Sequence, residues 1–387
     1  MKRHIVIAAL LATIGAGTAN AGDNLTLVVG TYTEESISDG IYVYRFNQQT
    51  GTATPLNSIK ADNPSFLIAD KKAAHIYAVS EYNDGRQGCR AFAFNSKNGA
   101  MQPLSSQRCG ANPYDTTAST TTRLSNDAKG ADPCNVMMYA GYVVTSNYTG
   151  GDISVFPTGN DGTLLPEQQC VNMHSSTSDT PSHIHCCRMT PDKRYMLAAD
   201  LGNDCIWRFD IKAAKGADTA APLLTKPAVA YKEEHGSGPR HFVFNKKGDR
   251  VYLINELDGV LTVLSHTNGT LTRLQQIQAS TTRTAGSADI HLSPDGKFVY
   301  ASHRLKDDGV SIFSVDKHSG LLTKVGYQRT GAHPRNFNIT PNGKFLLVAC
   351  RDNNMIEVYR RDTDTGMLAD TGQDITLGKP VCLQFVK

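Results

Sequence analysis

Short stretches in which hydrophobic and polar residues alternate run along most of the chain, and turns rich in Asn, Asp and Gly separate them. Val310–Val315 is one such stretch, and the turn at Gly248-Asp249 is followed by a continuously apolar stretch, Val251–Ile254. An apolar period of two residues, with Asn, Asp and Gly between the stretches, is typical of strands and not of helices. The pattern therefore predicts an all-β protein.

The strand pattern repeats along the chain. The segment that begins at Asp289 aligns with those that begin at Asn336 and at His241, and weaker copies start near Ser65, Cys134 and His183. A reference position just ahead of each copy can be assigned at Pro64, Pro133, Ser182, Pro239, Ala288, Pro334 and Pro380. The Thr- and Ser-rich stretch Thr116–Ser125 lengthens one interval and is predicted to be a surface loop.

Each copy contains four predicted strands, and four strands in a repeat of about 45 residues indicate a β-propeller blade. The last copy breaks off after one strand, Pro380–Phe385. The N-terminal part supplies three more, at Leu25–Gly30, at Ile41–Phe46 and after Thr50-Gly51. We therefore predict a seven-bladed β-propeller that forms one domain, residues 22–387, with one blade shared between the N- and C-terminal strands.

The first 21 residues have the features of a cleavable signal peptide. Lys2 and Arg3 precede the apolar stretch Ile5–Ile14, and Ala19-Asn20-Ala21 is a cleavage site of the A-x-A type. The apolar stretch is too short to span a bilayer. We expect cleavage after Ala21 and export to the periplasm.

Composition and charge argue against nucleic-acid or membrane partners. The 387 residues carry a net charge of +3, which removal of the two basic residues of the signal segment lowers to +1. A nearly neutral chain without basic runs lacks the charge that such partners require. No later stretch could span a membrane, and a closed ring needs no second copy, so a monomer is expected.

Nine cysteines in an exported chain raise the question of disulfides. The number is odd and most cysteines lie in apolar stretches, which favours buried thiols that pack as small hydrophobic groups. Cys89 and Cys109 flank a predicted hairpin with its turn near Asn98-Gly99. A disulfide between these two is the open alternative.

Charged and imidazole side chains stand where the repeat requires only packing. The first strand of each blade lines the channel of a propeller, and the loops at its mouth can form a concave site. The residues at these places are His183, His185, Arg240, His241, Glu256, Asp289, His291, Arg304 and Arg335. Because buried charges need partners or a ligand, we expect them to converge on the axis around a polar ligand.

The motifs PSHIHCCRMTPD, GSGPRHFVFNKKGDRVYLINEL, ADIHLSPDGKFVYASHR and HPRNFNITPNGKFLLVA resemble those of the lactonase family of seven-bladed propellers. The opening VGTYTEESISDGIYVYRFNQQTG is also similar, so the resemblance covers nearly all of the chain after the signal segment. That family includes 6-phosphogluconolactonases and carboxymuconate-lactonising enzymes. The resemblance implies a central site formed by His185, Arg240, Glu256 and Arg304. This chain has Asn135 where the family usually has a histidine.

These residue types suit the hydrolysis of a lactone, a cyclic ester. Arg240 and Arg304 can stabilise the oxyanion that forms when water attacks, and they can hold an acidic group of the substrate. His185 is our first candidate for the general base and Glu256 the second, although Glu256 could instead orient a hydroxyl group or hold His185. His183, His241, Asp289 and Arg335 are expected to contact the substrate or support these four residues.

Other mechanisms and roles receive less support. The chain has no G-x-S-x-G motif, and His183-x-His185 lacks an evident third metal ligand, so neither a metal nor a cofactor is expected. The hydrolysis of a sugar-acid lactone of the gluconolactone or 6-phosphogluconolactone type is the main hypothesis, and a lactone-forming cycloisomerase is a variant of it. The alternative is a non-catalytic propeller that binds a sugar acid or a protein partner.

Overall fold

The computed structural model describes residues 23–110, 129–174, 180–211, 222–282 and 286–386. The predicted signal segment, residues 1–21, and the predicted loop Thr116–Ser125 lie outside these ranges. The described chain consists of strands and connecting turns, with one 3-10 turn at Arg351–Asn353 and no α-helix within those ranges. Accordingly, no helix long and apolar enough to cross a membrane occurs within the described ranges.

Over the described ranges the strands form seven antiparallel sheets. Six of them are blades of consecutive strands, which we number in chain order. Blade 1 contains β4 (Leu67–Ala69), β5 (His75–Ser80), β6 (Gly88–Phe94) and β7 (Met101–Arg108). Blade 2 contains β8 (Pro133–Tyr139), β9 (Tyr142–Asn147), β10 (Asp152–Pro157) and β11 (Gln169–Asn172). Blade 3 contains β12 (Ile184–Met189), β13 (Tyr195–Asp200), β14 (Cys205–Asp210) and β15 (Ala228–Lys232).

The second half of the ring follows the same plan. Blade 4 contains β16 (Pro239–Phe244), β17 (Arg250–Asn255), β18 (Val260–Thr267) and β19 (Thr270–Gln278). Blade 5 contains β20 (Ser287–Leu292), β21 (Phe298–His303), β22 (Gly309–Val315) and β23 (Leu322–Arg329). Blade 6 contains β24 (Pro334–Ile339), β25 (Phe345–Cys350), β26 (Met355–Arg361), β27 (Leu368–Asp370) and β28 (Ile375–Thr376). Both β27 and β28 pair with β26, so the outermost strand of this blade is divided in two.

The seventh sheet joins the two ends of the chain, as the sequence predicts. Its strands are β29 (Pro380–Val386), β1 (Asn24–Thr31), β2 (Gly40–Asn47) and β3 (Ala53–Lys60), in that order from the inside outward. The register sets Val29 opposite Leu383 and Gly30 opposite Cys382. We call this sheet the closing blade. Because β29 covers the inner edge of β1, no hydrogen-bonding edge is left open at the junction.

The first strands of the blades surround the axis of the molecule. Each of β4, β8, β12, β16, β20, β24 and β29 contacts the first strand of the blade on either side, and the series closes on itself. The seven-bladed propeller is thus confirmed, and residues at the start of each first strand lie near one mouth of a common channel.

The hydrophobic core lies between the blades. In the described ranges seven clusters of buried side chains occur, one between each pair of neighbouring blades. Successive side chains of a strand point to opposite faces, so Leu253 packs towards blade 3 while Ile254 packs towards blade 5. This explains why the second strands have unbroken apolar sequences such as Val251–Ile254.

All nine cysteines lie in the described ranges, and all nine are buried. The disulfide considered between Cys89 and Cys109 does not form. The register of β6 and β7 sets Cys89 opposite Gln107, and Cys109 follows opposite Gln87, so the two residues are offset by two positions along the hairpin. Both thiols pack in the apolar cluster between blades 1 and 2 instead.

Candidate active site

Six of the first strands have a β-bulge near their start, and in four of them a single extra residue has a charged, imidazole or thiol side chain. The paired register skips one residue between Pro133 and Asn135, Ile184 and Cys186, Pro239 and His241, and Pro334 and Asn336. A bulge leaves its extra residue unpaired and redirects its side chain, often beside functional sites. The residues so placed are Cys134, His185, Arg240 and Arg335. The residue of blade 3 that is equivalent to Pro239 is therefore Ile184, and not Ser182 as the sequence repeat predicted.

A second set of equivalent residues follows immediately after the second strand of each blade. Its members are Tyr32, Glu81, Tyr148, Leu201, Glu256, Arg304 and Arg351. Glu256 and Arg304 were predicted from the sequence, whereas Tyr32, Glu81 and Tyr148 were not. Comparison of this one position in every repeat, including the weaker copies, would have found them.

Arg240, Glu256 and Arg304 form one connected cluster, although they come from blades 4 and 5. Nε of Arg240 lies 2.7 Å from Oε2 of Glu256, and Nη2 of Arg304 lies 3.0 Å from Oε1. Each arginine also donates to backbone carbonyls, Arg240 to Ala288 at 2.6 Å and Arg304 to Gly286 at 3.0 Å. The sequence-predicted association of these three residues is thus present, and both guanidinium groups are held in fixed positions.

Glu256 remains ionised in this cluster. Burial raises the pKa of Glu256, but the charges of Arg240 and Arg304 outweigh burial, so the pKa lies below its ordinary value. Each carboxylate oxygen is already bonded to one arginine. Glu256 is therefore better suited to hold the two arginines than to accept a proton or to hold His185.

His185 lies beside this cluster in blade 3. Its Nδ1 is 3.7 Å from Sγ of Cys134, and its ring meets the ring of Tyr148 edge-on with centroids 5.6 Å apart. Burial, reinforced by the charge of Arg240, holds the pKa of His185 well below its ordinary value. The imidazole is consequently neutral at neutral pH.

Arg335 belongs to a second ion pair at the same mouth. Its Nη2 lies 3.5 Å from Oε1 of Glu81, and its guanidinium carbon lies 5.5 Å from the centre of the Tyr32 ring. The Tyr32 hydroxyl donates to the same Glu81 oxygen at 2.7 Å, and the Ser65 hydroxyl donates to the other. The mouth thus holds two separate arginine–carboxylate groups.

Deeper in the channel, an imidazole and a carboxylate connect blades 4 and 5. Nδ1 of His241 lies 2.9 Å from Oδ1 of Asp289. The other oxygen of Asp289 lies 3.0 Å from Nε2 of His291 and accepts a hydrogen bond from Asn336. The ring of His241 also meets that of His185 edge-on, with centroids 5.1 Å apart. His241 therefore contacts His185 of the candidate site, and Asp289 lies on the other side of His241, deeper in the channel.

His183 occupies a different environment. It precedes β12, its ring stacks on that of Tyr148 with centroids 4.4 Å apart, and its Nδ1 is 2.9 Å from the Tyr148 carbonyl oxygen. His183 therefore supports Tyr148 and does not pair with His185. The described residues contain no group of three or more His, Cys, Asp or Glu side chains arranged to hold a metal ion.

Cavities open at both ends of the channel. One of about 780 Å³ is bordered by Tyr32, Glu81, Arg351 and Lys379, beside the ion pair of Glu81 with Arg335. Another of about 530 Å³ is lined by first strands of all seven blades and reaches Asp289 from the opposite end. The first cavity thus borders the contact of Tyr32 with Glu81, and the second borders Asp289.

Comparison with known proteins gives consistent results. A family model described as lactonase, 7-bladed beta-propeller, matches residues 26–385. A 6-phosphogluconolactonase of Formosa agariphila is 34% identical over 93% of this chain and 99% of its own. The crystal structure of a Bacteroides fragilis protein shares 45% identity over 94% of this chain and 98% of its own, with a TM-score of 0.86. The periplasmic gluconolactonase of Pseudomonas aeruginosa shares 29% identity over 94% and 99% of the two chains, with a TM-score of 0.81.

Proposed function

Since the chain belongs to the lactonase family of seven-bladed β-propellers, we propose that it hydrolyses the lactone of a sugar acid, of the gluconolactone or 6-phosphogluconolactone type. Relatives with these two activities in their names cover nearly the whole chain. The observation that carries the proposal for this protein is the cluster in which Glu256 holds Arg240 and Arg304 at the channel mouth.

The arginines are assigned to the transition state. Attack of water on the lactone carbonyl forms a bond from the water oxygen to the carbonyl carbon and leaves negative charge on the carbonyl oxygen. Guanidinium groups fixed before the reaction stabilise such a charge without reorganisation. Arg240 and Arg304 have side chains only 2% and 6% exposed, so little water competes with this interaction.

An imidazole base completes the mechanism. It takes a proton from the attacking water, the ring carbon–oxygen bond breaks, and the proton passes to the alkoxide oxygen that leaves. A positioned base of this kind contributes about 10²–10⁴ in rate. His185, the base predicted from the sequence, and His241 both lie at the centre, and their neutral state at neutral pH suits this role.

We also propose that the protein works outside the cytoplasm, after removal of residues 1–21. The charge and hydrophobicity pattern of this segment supports export. The similarity to a relative described as periplasmic is in line with this location. Aldonolactones that arise from sugar oxidation outside the cytoplasm are the substrates that such a location favours.

Turnover of lactones by the purified protein tests the proposal. We expect acid release from gluconolactone or its 6-phosphate well above the rate in buffer, followed with a pH indicator. Arg304→Gln should reduce kcat by about 10²-fold or more, because a positioned charge that stabilises the transition state is lost.

Arg361→Gln is the matched control. Arg361 is also a buried arginine with a carboxylate partner, Asp295 at 2.9 Å, but it lies in blade 6 away from the channel mouth. Its loss should lower stability and leave kcat within a few-fold. No turnover of any aldonolactone would refute the proposed function, whereas equal loss in both variants would refute only the role of Arg304 in the transition state.

A further inference from the structure

His241 has a free nitrogen in a place where a buried group should have a partner. The residue lies next to Arg240 on β16 and is 3% exposed. Its Nδ1 lies 2.9 Å from a carboxylate oxygen of Asp289, so Nδ1 carries the proton and Nε2 carries a lone pair. Nε2 is buried and has no hydrogen-bond partner among the described residues. A buried acceptor without a donor costs stability, and a water molecule in the channel would supply that donor.

Asp289 is fixed on the other side of this imidazole. Its Oδ1 accepts from His241 and from the backbone N–H of Ile290 at 2.9 Å, while its Oδ2 faces His291 and Asn336. Burial raises the pKa of Asp289, but the neighbouring imidazoles outweigh it and hold the pKa well below its ordinary value. The carboxylate is thus ionised and has little freedom to turn away from His241.

We infer that His241 is the general base of the site, and that Asp289 is the positioning residue that fixes its tautomer and stabilises its charged form. The inference rests on the proposed lactone hydrolysis. The proton of the attacking water moves to Nε2 as the oxygen–carbon bond forms. It then passes to the ring oxygen as the carbon–oxygen bond breaks, and His241 is again neutral. A base oriented by a third group in this way is a recurrent arrangement in hydrolases.

His185 is less suited to accept the proton. Its Nδ1 faces a thiol and not a carboxylate. Arg240, His241 and Arg335 all oppose a positive charge on it. The groups that face His241 are Asp289, Arg240, Arg188 and His185, of which Asp289 favours the imidazolium. The structure thus assigns His185 to contact with the substrate.

Exchange of His241 for Asn separates the two roles of the imidazole. The Asn amide nitrogen takes about the place of Nδ1 and can still donate to Asp289, but no group replaces Nε2. We expect His241→Asn to reduce kcat by about 10²–10⁴ with KM changed only a few-fold and with little change in Tm. His185→Asn should raise KM more than it lowers kcat.

Two further variants distinguish a catalytic from a structural role. Asn338→Ala removes a 2.8 Å hydrogen bond to the Leu383 carbonyl, which connects two other blades in the same channel, and it should leave kcat unchanged.

Burial and the Arg240 charge lower the pKa of His241 to about 4 although Asp289 raises it, so kcat/KM should fall as the pH drops through about 4. Asp289→Asn should move this decline to lower pH and reduce the plateau.

The outcomes are distinct from those that test the function itself. If His241→Asn keeps more than half of the wild-type kcat while His185→Asn loses it, the inference is wrong and lactone hydrolysis stands. If Asn338→Ala loses as much turnover as His241→Asn, the role of His241 is structural. If the wild-type protein turns over no lactone, the proposed function is refuted, and the inference with it.

Discussion

Glu256 connects two arginines of the candidate site. Its two oxygens are bonded to two arginines from different blades, so the carboxylate sets the distance between the guanidinium groups. Its side chain is 21% exposed, far more than those of its partners, and a ligand can therefore reach it. A hydroxyl group of a sugar acid is a suitable donor to such a carboxylate. We prefer a positioning role for Glu256 over that of a general base because each of its carboxylate oxygens is already bonded to an arginine.

The nine cysteines are expected to be unreactive in the folded protein. Burial raises the pKa of Cys89 to about 12 and that of Cys109 well above its ordinary value, so neither forms the thiolate that reacts. We expect a thiol reagent to modify almost no cysteine in the native state and all nine after unfolding, with Tm unchanged by reductant. Seven reactive thiols in the unreduced, unfolded protein would instead demonstrate a disulfide.

The residues of the site could be predicted only in part. Arg240, Glu256 and Arg304 lie in the repeats that align well, and the structure places them in contact. Glu81 and Tyr32 lie in repeats that align poorly, and their roles depend on contacts with Arg335, which is far away in the sequence. The pair of His241 and Asp289 also depends on two neighbouring blades, and the repeat alone does not give that distance.

At the scale of strands, turn chemistry and apolar period were sufficient to define the blades. The predicted closing strands agree with β1, β2, β3 and β29. The reference position in blade 3 was wrong by two residues, because Ile184 stands there in place of the proline that marks this position in blades 2, 4 and 6. The division of the outer strand of blade 6 into β27 and β28 also has no counterpart in the alternation pattern.

Removal of β29 should disrupt the whole ring. A chain that ends at Lys379 would lose the buried residues Val381, Cys382 and Leu383 and leave the inner edge of β1 unpaired. We expect this chain to aggregate or to unfold well below the full-length protein, as measured by gel filtration and calorimetry. A chain that ends at Val386 is the control, and equal Tm values for the two would contradict the closing role of β29.

At the scale of the whole molecule, buried histidines make the fold sensitive to acid. Burial lowers the pKa of His174, His185, His241, His303 and His333, to about 4 for His241 and about 3 for His303. These groups are neutral in the folded state but become charged in the unfolded chain below about pH 6.5. The unfolded state then binds more protons, so stability falls as the pH drops.

Thermal unfolding measured from pH 7 to pH 4.5 tests this expectation. Each such histidine contributes up to about 1.4 kcal/mol of lost stability per pH unit in this range. The Tm should therefore decrease steadily below about pH 6.5, and His303→Gln should flatten the decrease. The exposed His318→Gln variant should behave like the wild type. A constant Tm over the range would show that the imidazoles take up protons in the folded protein as readily as in the unfolded chain.

The pairing of β1 with β29 also bears on how a newly made copy matures. Val29 leaves the ribosome long before Leu383, so the first sheet to be synthesised stays incomplete along β1 until β29 has been made. The ring can therefore close only after β29 has been synthesised. A product of premature termination stays open along that seam, where proteases and chaperones can recognise it.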